Sequence, residues 1–295
     1  MDVLDRLKLA FRHGNALTQL IFINSGVFLL LKVVLIFFRL FNLPSGFLVT
    51  YLALPADLWA ILYQPWTILT YMFLHEGIFH ILFNMLALYW FGKLFLMFST
   101  EKQLVGLYVM GGFAGALFYV AAFNIFPYFE PVIQHTVLLG ASASIMAIIV
   151  AAAMQSPNME LRMLFIGNIK LKYVAVIAVL ASFFGITSNN AGGEIAHLGG
   201  ALTGYFFVVS LRQGKDFTKW LNKLLDFFSD LFKPRKLKVK PNNKKGSSKM
   251  SDAEFNMNKA RRMEEIDRIL DKIKTSGYES LSSDEKKRLF EQGKK

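Results

Sequence analysis

"HEGIFHILFNMLALYWFGKLFLMF", residues 75–98, puts two histidines, a glutamate and an asparagine at the head of a run that is otherwise apolar. About 20 such residues cross the hydrocarbon core of a bilayer as a helix. Polar side chains at that depth are costly to bury and are kept where they do something. His80 and Asn84 stand at i and i+4, so a helix puts them on one face. His75 precedes His80 by five residues, roughly 140° away at 100° per residue, and is expected to point elsewhere. The stretch therefore reads as a membrane span with one polar face at its head.

The rest of the chain agrees. Its 295 residues are 54% hydrophobic and 18% charged, with a mean hydropathy of +0.39. A soluble domain of this length carries more charge. Six apolar segments reach spanning length, at roughly 17–38, 73–97, 102–123, 137–155, 170–187 and 194–211. The fold class is thus an all-α membrane protein, a bundle of six transmembrane helices. Cysteine is absent, which excludes disulfides, thiolate metal sites and cysteine nucleophiles. Arg6, Lys8 and Arg12 precede the first span, and no small-residue cleavage site follows it, so it reads as a retained span. Lys32 inside it is expected to snorkel to the interface.

Lysine and arginine set the orientation. They occupy the N-terminus, the 93–102 turn, the 156–172 loop and the tail, whereas 42–66, 124–136 and 188–193 contain none. Both termini are therefore expected to be cytoplasmic. Segment 42–66, interrupted by Pro44, Pro55 and Pro65, is too apolar for an exterior loop and is expected to lie in the outer leaflet.

The formal charge is 33 − 21 = +12, most of it after residue 211. Three parts are expected: a membrane domain over 1–211, an amphipathic helix and basic linker over 212–250, and a small helical unit over 251–295. In the second, Phe217, Trp220, Leu221, Leu224, Phe228 and Leu231 recur at helical spacing. The linker that follows suits anionic headgroups. In the third, Ser251 with Glu254 and Ser282 with Glu285 are capping-box signals. Ile266, Ile269, Leu270 and Ile273 form a stripe, and Gly277 is a stop. So small a unit buries little surface, which points to a cytosolic partner. Nucleic acid is not among the expected partners.

Two further polar sites interrupt the spans: "GASAS" at Gly140–Ser144, and "AHLGGALTG" at 196–204, where Gly200 and Gly204 follow His197 at i+3 and i+7. In the predicted topology the polar sites of spans two, four and six all fall in the outer half of the membrane. A serine becomes a nucleophile when a base takes its proton, and histidine is the usual base. Small residues on the His197 face, with Ala143 and Ala147 on span four, let the two helices approach closely.

The order H-x4-H-x3-N, then G-x-S, then A-H-x-x-G-x-x-x-G resembles the rhomboid family of intramembrane serine proteases over roughly residues 17–211. The resemblance implies a Ser142–His197 dyad without an acidic third member, and an oxyanion hole of His80 and Asn84 with His75 at its edge. It implies cleavage of transmembrane protein substrates near their outer ends, with no cofactor, and likens 42–66 to that family's membrane-embedded first loop, although the family's Trp-Arg pair is not recognisable there. Ala143 stands where the family often has glycine. Met146 stands where some members carry a tyrosine that stacks on the catalytic histidine, and its thioether is expected to pack on the imidazole instead.

Glu194 is i−3 to His197. It is expected to favour the positive end of span six rather than complete a triad, since a carboxylate on the same helix seldom reaches the far imidazole nitrogen. A metal site built on His75, His80 and His197 is disfavoured, because "HEGIFH" has one residue too many for H-E-x-x-H. Ser144 reads as a packing residue, and His135 and His13 are assigned no role. A client-binding pseudoprotease would be signalled by loss of Ser142 or His197, and both are present. A channel would need polarity across the whole bilayer. The short six-span core suits a bacterial inner membrane.

Overall fold

The computed structural model describes residues 2–163, 167–232 and 252–292. Two compact units divide the chain, meeting between Lys233 and Pro234. The expected cap at Ser251 and the basic linker at 233–249 lie outside the described residues, as do the side chains of Phe228 and Leu231.

The first unit is an all-α bundle. A short helix α1 (Val3–His13) leads into α2 (Ala16–Leu40), whose start is capped by the Asn15 side chain accepting from the Thr18 N–H. Segment 42–66 folds into two short helices, α3 (Gly46–Leu52) and α4 (Leu58–Tyr63), on either side of the extended pair β1 (Leu54–Pro55). A single helical turn, α5 (Thr67–Thr70), and a 3-10 turn at Tyr71–Phe73 follow. Then come α6 (Ile78–Leu96) and α7 (Glu101–Ile125), the latter opened by a capping box of Thr100 and Gln103. Strand β2 (Val137–Leu138) pairs antiparallel with β1, Leu54 opposite Leu138, and delivers the chain to α8 (Ser142–Gln155). A hairpin of β3 (Glu160–Met163) and β4 (Gly167–Lys170) leads to α9 (Leu171–Phe184), and α10 (Ala191–Arg212) closes the bundle.

All six apolar segments are helical at the expected places. By length and composition α2, α6, α7 and α10 can each cross a membrane, whereas α8 and α9 are shorter. Two starts differ from the sequence reading. Span two begins at Ile78 rather than 73, because Gly77 is extended (φ −135°, ψ 169°) and acts as the cap. Span four begins at Ser142 rather than 137, because Val137 and Leu138 are in β2 and Gly140 turns the chain with φ +127°. Such a φ is open to glycine and strained for other residues.

The exterior is apolar: Leu29, Leu30, Phe37, Phe79, Phe83, Phe183 and Phe184 are all exposed. The interior holds polar groups with partners. Buried Asn24 donates to the Leu20 carbonyl and contacts the Tyr108 hydroxyl, which reaches the Met72 carbonyl at 3.0 Å. Tyr71 donates to the Gly112 carbonyl at 2.6 Å. An apolar outside over hydrogen-bonded groups such as these is the arrangement a lipid solvent favours, and the chain is a multi-pass membrane protein. Lys32 is satisfied within the protein: its ammonium donates to the Glu76 carbonyl at 2.7 Å.

The core centres on α7, α8 and α10, which meet through small residues. A Cβ at Gly200 would strike the Ala143 carbonyl, and one at Gly204 the Ala147 carbonyl. Gly111 and Gly115 of α7 likewise face the methyls of Ala147 and Ala143. Backbone-to-backbone approach of this kind is how membrane helices gain dispersion contact without a hydrophobic driving force.

Beyond α10, Asp216 accepts from the Thr218 N–H at 2.9 Å, the Thr218 hydroxyl at 2.6 Å and the Gln103 amide at 3.0 Å. This staples the amphipathic helix α11 (Lys219–Phe232) to the end of α7, with Thr218 buried against Gly106 and Lys102 paired to Asp226. Trp220, Leu224 and Phe227 are exposed.

In the second unit, α12 (Asp252–Ser276) ends at Gly277, whose φ is +74° and whose N–H donates to the Ile273 carbonyl. Helix α13 (Ser283–Gln292) opens on the expected box: the Glu285 N–H donates to the Ser282 hydroxyl, and the Ser282 N–H to the Glu285 carboxylate. Ile269 and Leu281 are buried, and Lys272–Glu285 and Arg288–Glu265 tie the two helices.

Two predictions follow from this packing. Gly204→Val in detergent should lower the unfolding temperature by an amount equivalent to ~1–3 kcal/mol. Gly26→Ala, with nothing within 4 Å of its Cβ, should not lower it. At Asp216, burial raises the carboxyl pKa, but the Thr218 and Gln103 hydrogen bonds and the Lys219 charge outweigh it and hold the value below the ordinary one. Its stabilisation is therefore present above the unfolded pKa of about 3.9 and lost as pH falls through the lower folded value. Asp216→Asn should lower the unfolding temperature at pH 7, and the deficit should shrink towards pH 3.

Candidate functional site

Ser142 is the first residue of α8, so its backbone N–H is among the donors that a helix start leaves without an intrahelical partner. The same end carries the positive pole of the helix. What aims it is the turn before it. The Gly140 N–H donates to the Tyr71 carbonyl at 2.9 Å, which ties this turn to the chain leading into α6. A Cβ on Gly140 would sit 3.0 Å from His80 Nε2 and 3.6 Å from Ser142 Oγ, so ring and hydroxyl flank the same point.

His80 and Asn84 occupy successive turns of α6, and Asn84 is buried. His197 stands in the second turn of α10. A cavity of about 360 Å³ gathers them: Ser142, His197, His80 and Asn84 line it together with Asn190, Phe79 and Phe83. Among the described residues no hydrogen bond joins Ser142 to His197 within 3.5 Å; such bonds are commonly long before substrate is bound and tighten in the complex. His80 and Asn190 also line an adjoining cavity of about 680 Å³, with Lys32, His75, Glu76 and His135.

The remaining sequence candidates divide. Gly200 and Gly204 lie against α8 behind the cavity, at the close approach described above. His75 differs from the sequence reading. Because the helix starts at Ile78, His75 is not 140° around a continuous helix from His80. It sits on the extended lead-in, buried, with its ring edge-on to that of His80 at 5.1 Å. Met146 is buried in the core and is not among the residues lining the cavity.

Glu194 is also corrected. It does occupy the first turn of α10, but its Oε2 lies 3.3 Å from His197 Nδ1. At i and i+3 the two side chains share a face, and a helical side chain leans back towards the N-terminus, which carries the ring to the carboxylate. Ser182 of α9, which sequence reading did not single out, places its hydroxyl 3.0 Å from the same nitrogen. Its signal was available: a lone serine inside an apolar run. Asn190 was missed as well, since it lies in a short connection with no periodicity to assign it.

Chemically, the cavity offers a hydroxyl at a helix start, an imidazole anchored through Nδ1 so that Nε2 is left for other work, and a group of donors in the Ser142 N–H, His80 and Asn84. That is an arrangement for attack on a carbonyl with stabilisation of the charge that develops.

The chain is similar to known proteins over two regions. The Rhomboid domain family matches residues 62–214, and a second family, of unknown function (DUF6576), matches residues 250–295. The chain is 27% identical over 158 residues to RHOMBOID-like protein 12, mitochondrial, of Arabidopsis thaliana. That alignment covers 50% of this chain and 47% of the relative, so the chain spans about half the length of the curated relative it matches.

If Gly140 holds the turn that sets His80 beside Ser142, Gly140→Ala should slow reaction of Ser142 with a fluorophosphonate probe by at least ~10-fold. The strain of a non-glycine residue at that φ, about 1–2 kcal/mol, should also register as a lower unfolding temperature.

Proposed function

The chain belongs to the rhomboid family, and from that premise we propose that it is an intramembrane serine endopeptidase acting through Ser142 and His197. The observation that carries the reading is the cavity wall that Ser142, His197, His80 and Asn84 share, although they come from three helices separated in sequence.

In the proposed mechanism His197 Nε2 takes the Ser142 proton as Oγ attacks the scissile carbonyl carbon. The carbonyl oxygen becomes an oxyanion facing the Ser142 N–H, His80 and Asn84, each such donor contributing on the order of 10²–10³ in rate. The imidazolium then protonates the leaving amine, and the C–N bond breaks to leave an acyl ester on Ser142. Water attacks that ester with His197 again as base, releasing the new carboxyl end and restoring the hydroxyl. The residues suffice for this sequence without a metal or cofactor.

The substrates are transmembrane protein segments cut near their outer ends. The length of α8 supports this: 14 residues rise about 21 Å, short of a roughly 30 Å hydrocarbon core. A helix that reaches the inner face therefore leaves Ser142 below the outer boundary. The distribution of lysine and arginine supports cytoplasmic termini in a bacterial inner membrane, and the basic segment beyond α11 suits anionic headgroups. The 250–295 unit is assigned a cytosolic partner on its small core.

Labelling of the detergent-solubilised protein with a fluorophosphonate should be abolished in Ser142→Ala and His197→Ala, with unfolding temperatures kept. His80→Ala and Asn84→Ala should each slow it by about 10²-fold. A well-folded wild type that takes up no label overturns the reading.

A further inference from the structure

His197 is held from behind by two groups on two helices. Ser182 Oγ of α9 lies 3.0 Å from Nδ1, and Glu194 Oε2 lies 3.3 Å from the same atom. Both groups therefore meet His197 at the one ring nitrogen. Ser182 is buried, and the Glu194 and His197 side chains are only about a fifth exposed, at 23% and 18%.

A hydroxyl has one proton, and where it goes decides the chemistry. If Ser182 donates to Nδ1, the ring proton stands on Nε2, and the nitrogen facing the cavity cannot act as a base. If Ser182 accepts instead, the ring proton stands on Nδ1 and Nε2 carries the free lone pair. The Glu194 carboxylate, 3.3 Å from the same nitrogen, can only accept, so it selects the second arrangement. We propose that Glu194 and Ser182 are positioning residues that fix His197 as the Nδ1–H tautomer, with that N–H facing the carboxylate and the hydroxyl. The inference rests on the serine-protease reading and adds a third and a fourth member to its dyad.

The same carboxylate stabilises the imidazolium formed when Ser142 is deprotonated. The partial charges around that ring are Glu194, the Ser182 hydroxyl and, across the cavity, His80, whose own positive charge would oppose it. Glu194 is therefore the acidic group positioned to offset it.

The test uses the full chain in detergent. Glu194→Gln keeps the shape but can donate as well as accept, so it no longer dictates which ring nitrogen carries the proton. Its fluorophosphonate labelling rate should fall by on the order of 10²–10⁴, the range set by loss of tautomer control in a triad. Glu194→Asp should recover part of the rate, and Ser182→Ala should show a smaller loss in rate. A Glu194→Gln protein that labels like wild type overturns the proposal. So does one that loses rate with the ¹⁵N shifts of the His197 ring unchanged, which is the signature of a merely structural effect.

A second measurement needs no variant that must stay active. In the ¹⁵N spectrum of ring-labelled protein, with His197 assigned by its loss in His197→Ala, Nε2 should carry the unprotonated-type shift above the titration of the ring. An unprotonated Nδ1 overturns the proposal even where labelling is normal. Failure of the wild type to label at all would instead count against the protease reading while leaving the tautomer result to be read on its own.

Discussion

The site depends on one close approach. Helices α8 and α10 meet with Gly200 against the Ala143 carbonyl and Gly204 against that of Ala147. One helix turn from Gly200 stands His197, and one residue from Ala143 stands Ser142. The two residues proposed to exchange a proton are thus carried by segments in close contact. In lipid no solvent-driven collapse forces helices together, so dispersion between small-residue faces has to do it. A side chain at either glycine would separate the helices, and the cavity wall would come apart before any of the polar residues was touched.

A second constraint sets where the chemistry can happen. The chain between β2 and α8 must turn within the bundle, and Gly140 makes that turn with a backbone conformation glycine tolerates. The turn ends the extended segment early and starts α8 at Ser142, with its unsatisfied N–H and its positive pole directed to one spot. Irregular backbone at membrane depth is tolerated where it lines a cavity, because the freed groups then have something to serve. The short length of α8 and the placement of the Ser142 N–H are consequences of the same break.

The fold was legible because lipid simplifies the code: apolar length gives spans. The spacing of His80 with Asn84, and of His197 with Gly200 and Gly204, named helix faces that the structure brings to one region. What sequence could not supply was where helices begin. Gly77 and Gly140 each stop a run that hydropathy alone extends by five residues, and this misplaced His75 and put Ser142 inside a span instead of at its tip. Nor could it supply contacts between distant segments. Ser182 lies 15 residues from His197 in an apolar run, and only the fold of α9 against α10 shows that its hydroxyl faces Nδ1. Glu194 was visible, but its reach to Nδ1 depends on the backward lean of the imidazole, which spacing along the helix does not show.

The same packing accommodates Ala143. A methyl beside the proposed nucleophile would obstruct an incoming carbonyl if it pointed into the cavity. It does not: Ala143 is 1% exposed, and its Cβ is turned to Gly115 of α7, where a second Cβ would collide with it. The volume added on α8 is matched by volume absent on α7. The same glycine also faces the Tyr71 hydroxyl and the Ala196 carbonyl. Gly115 therefore supports the candidate site although it bears no functional group. A side chain there would press on Ala143 from behind, so the room for alanine after Ser142 is a property of the helix pair and cannot be judged from α8 alone.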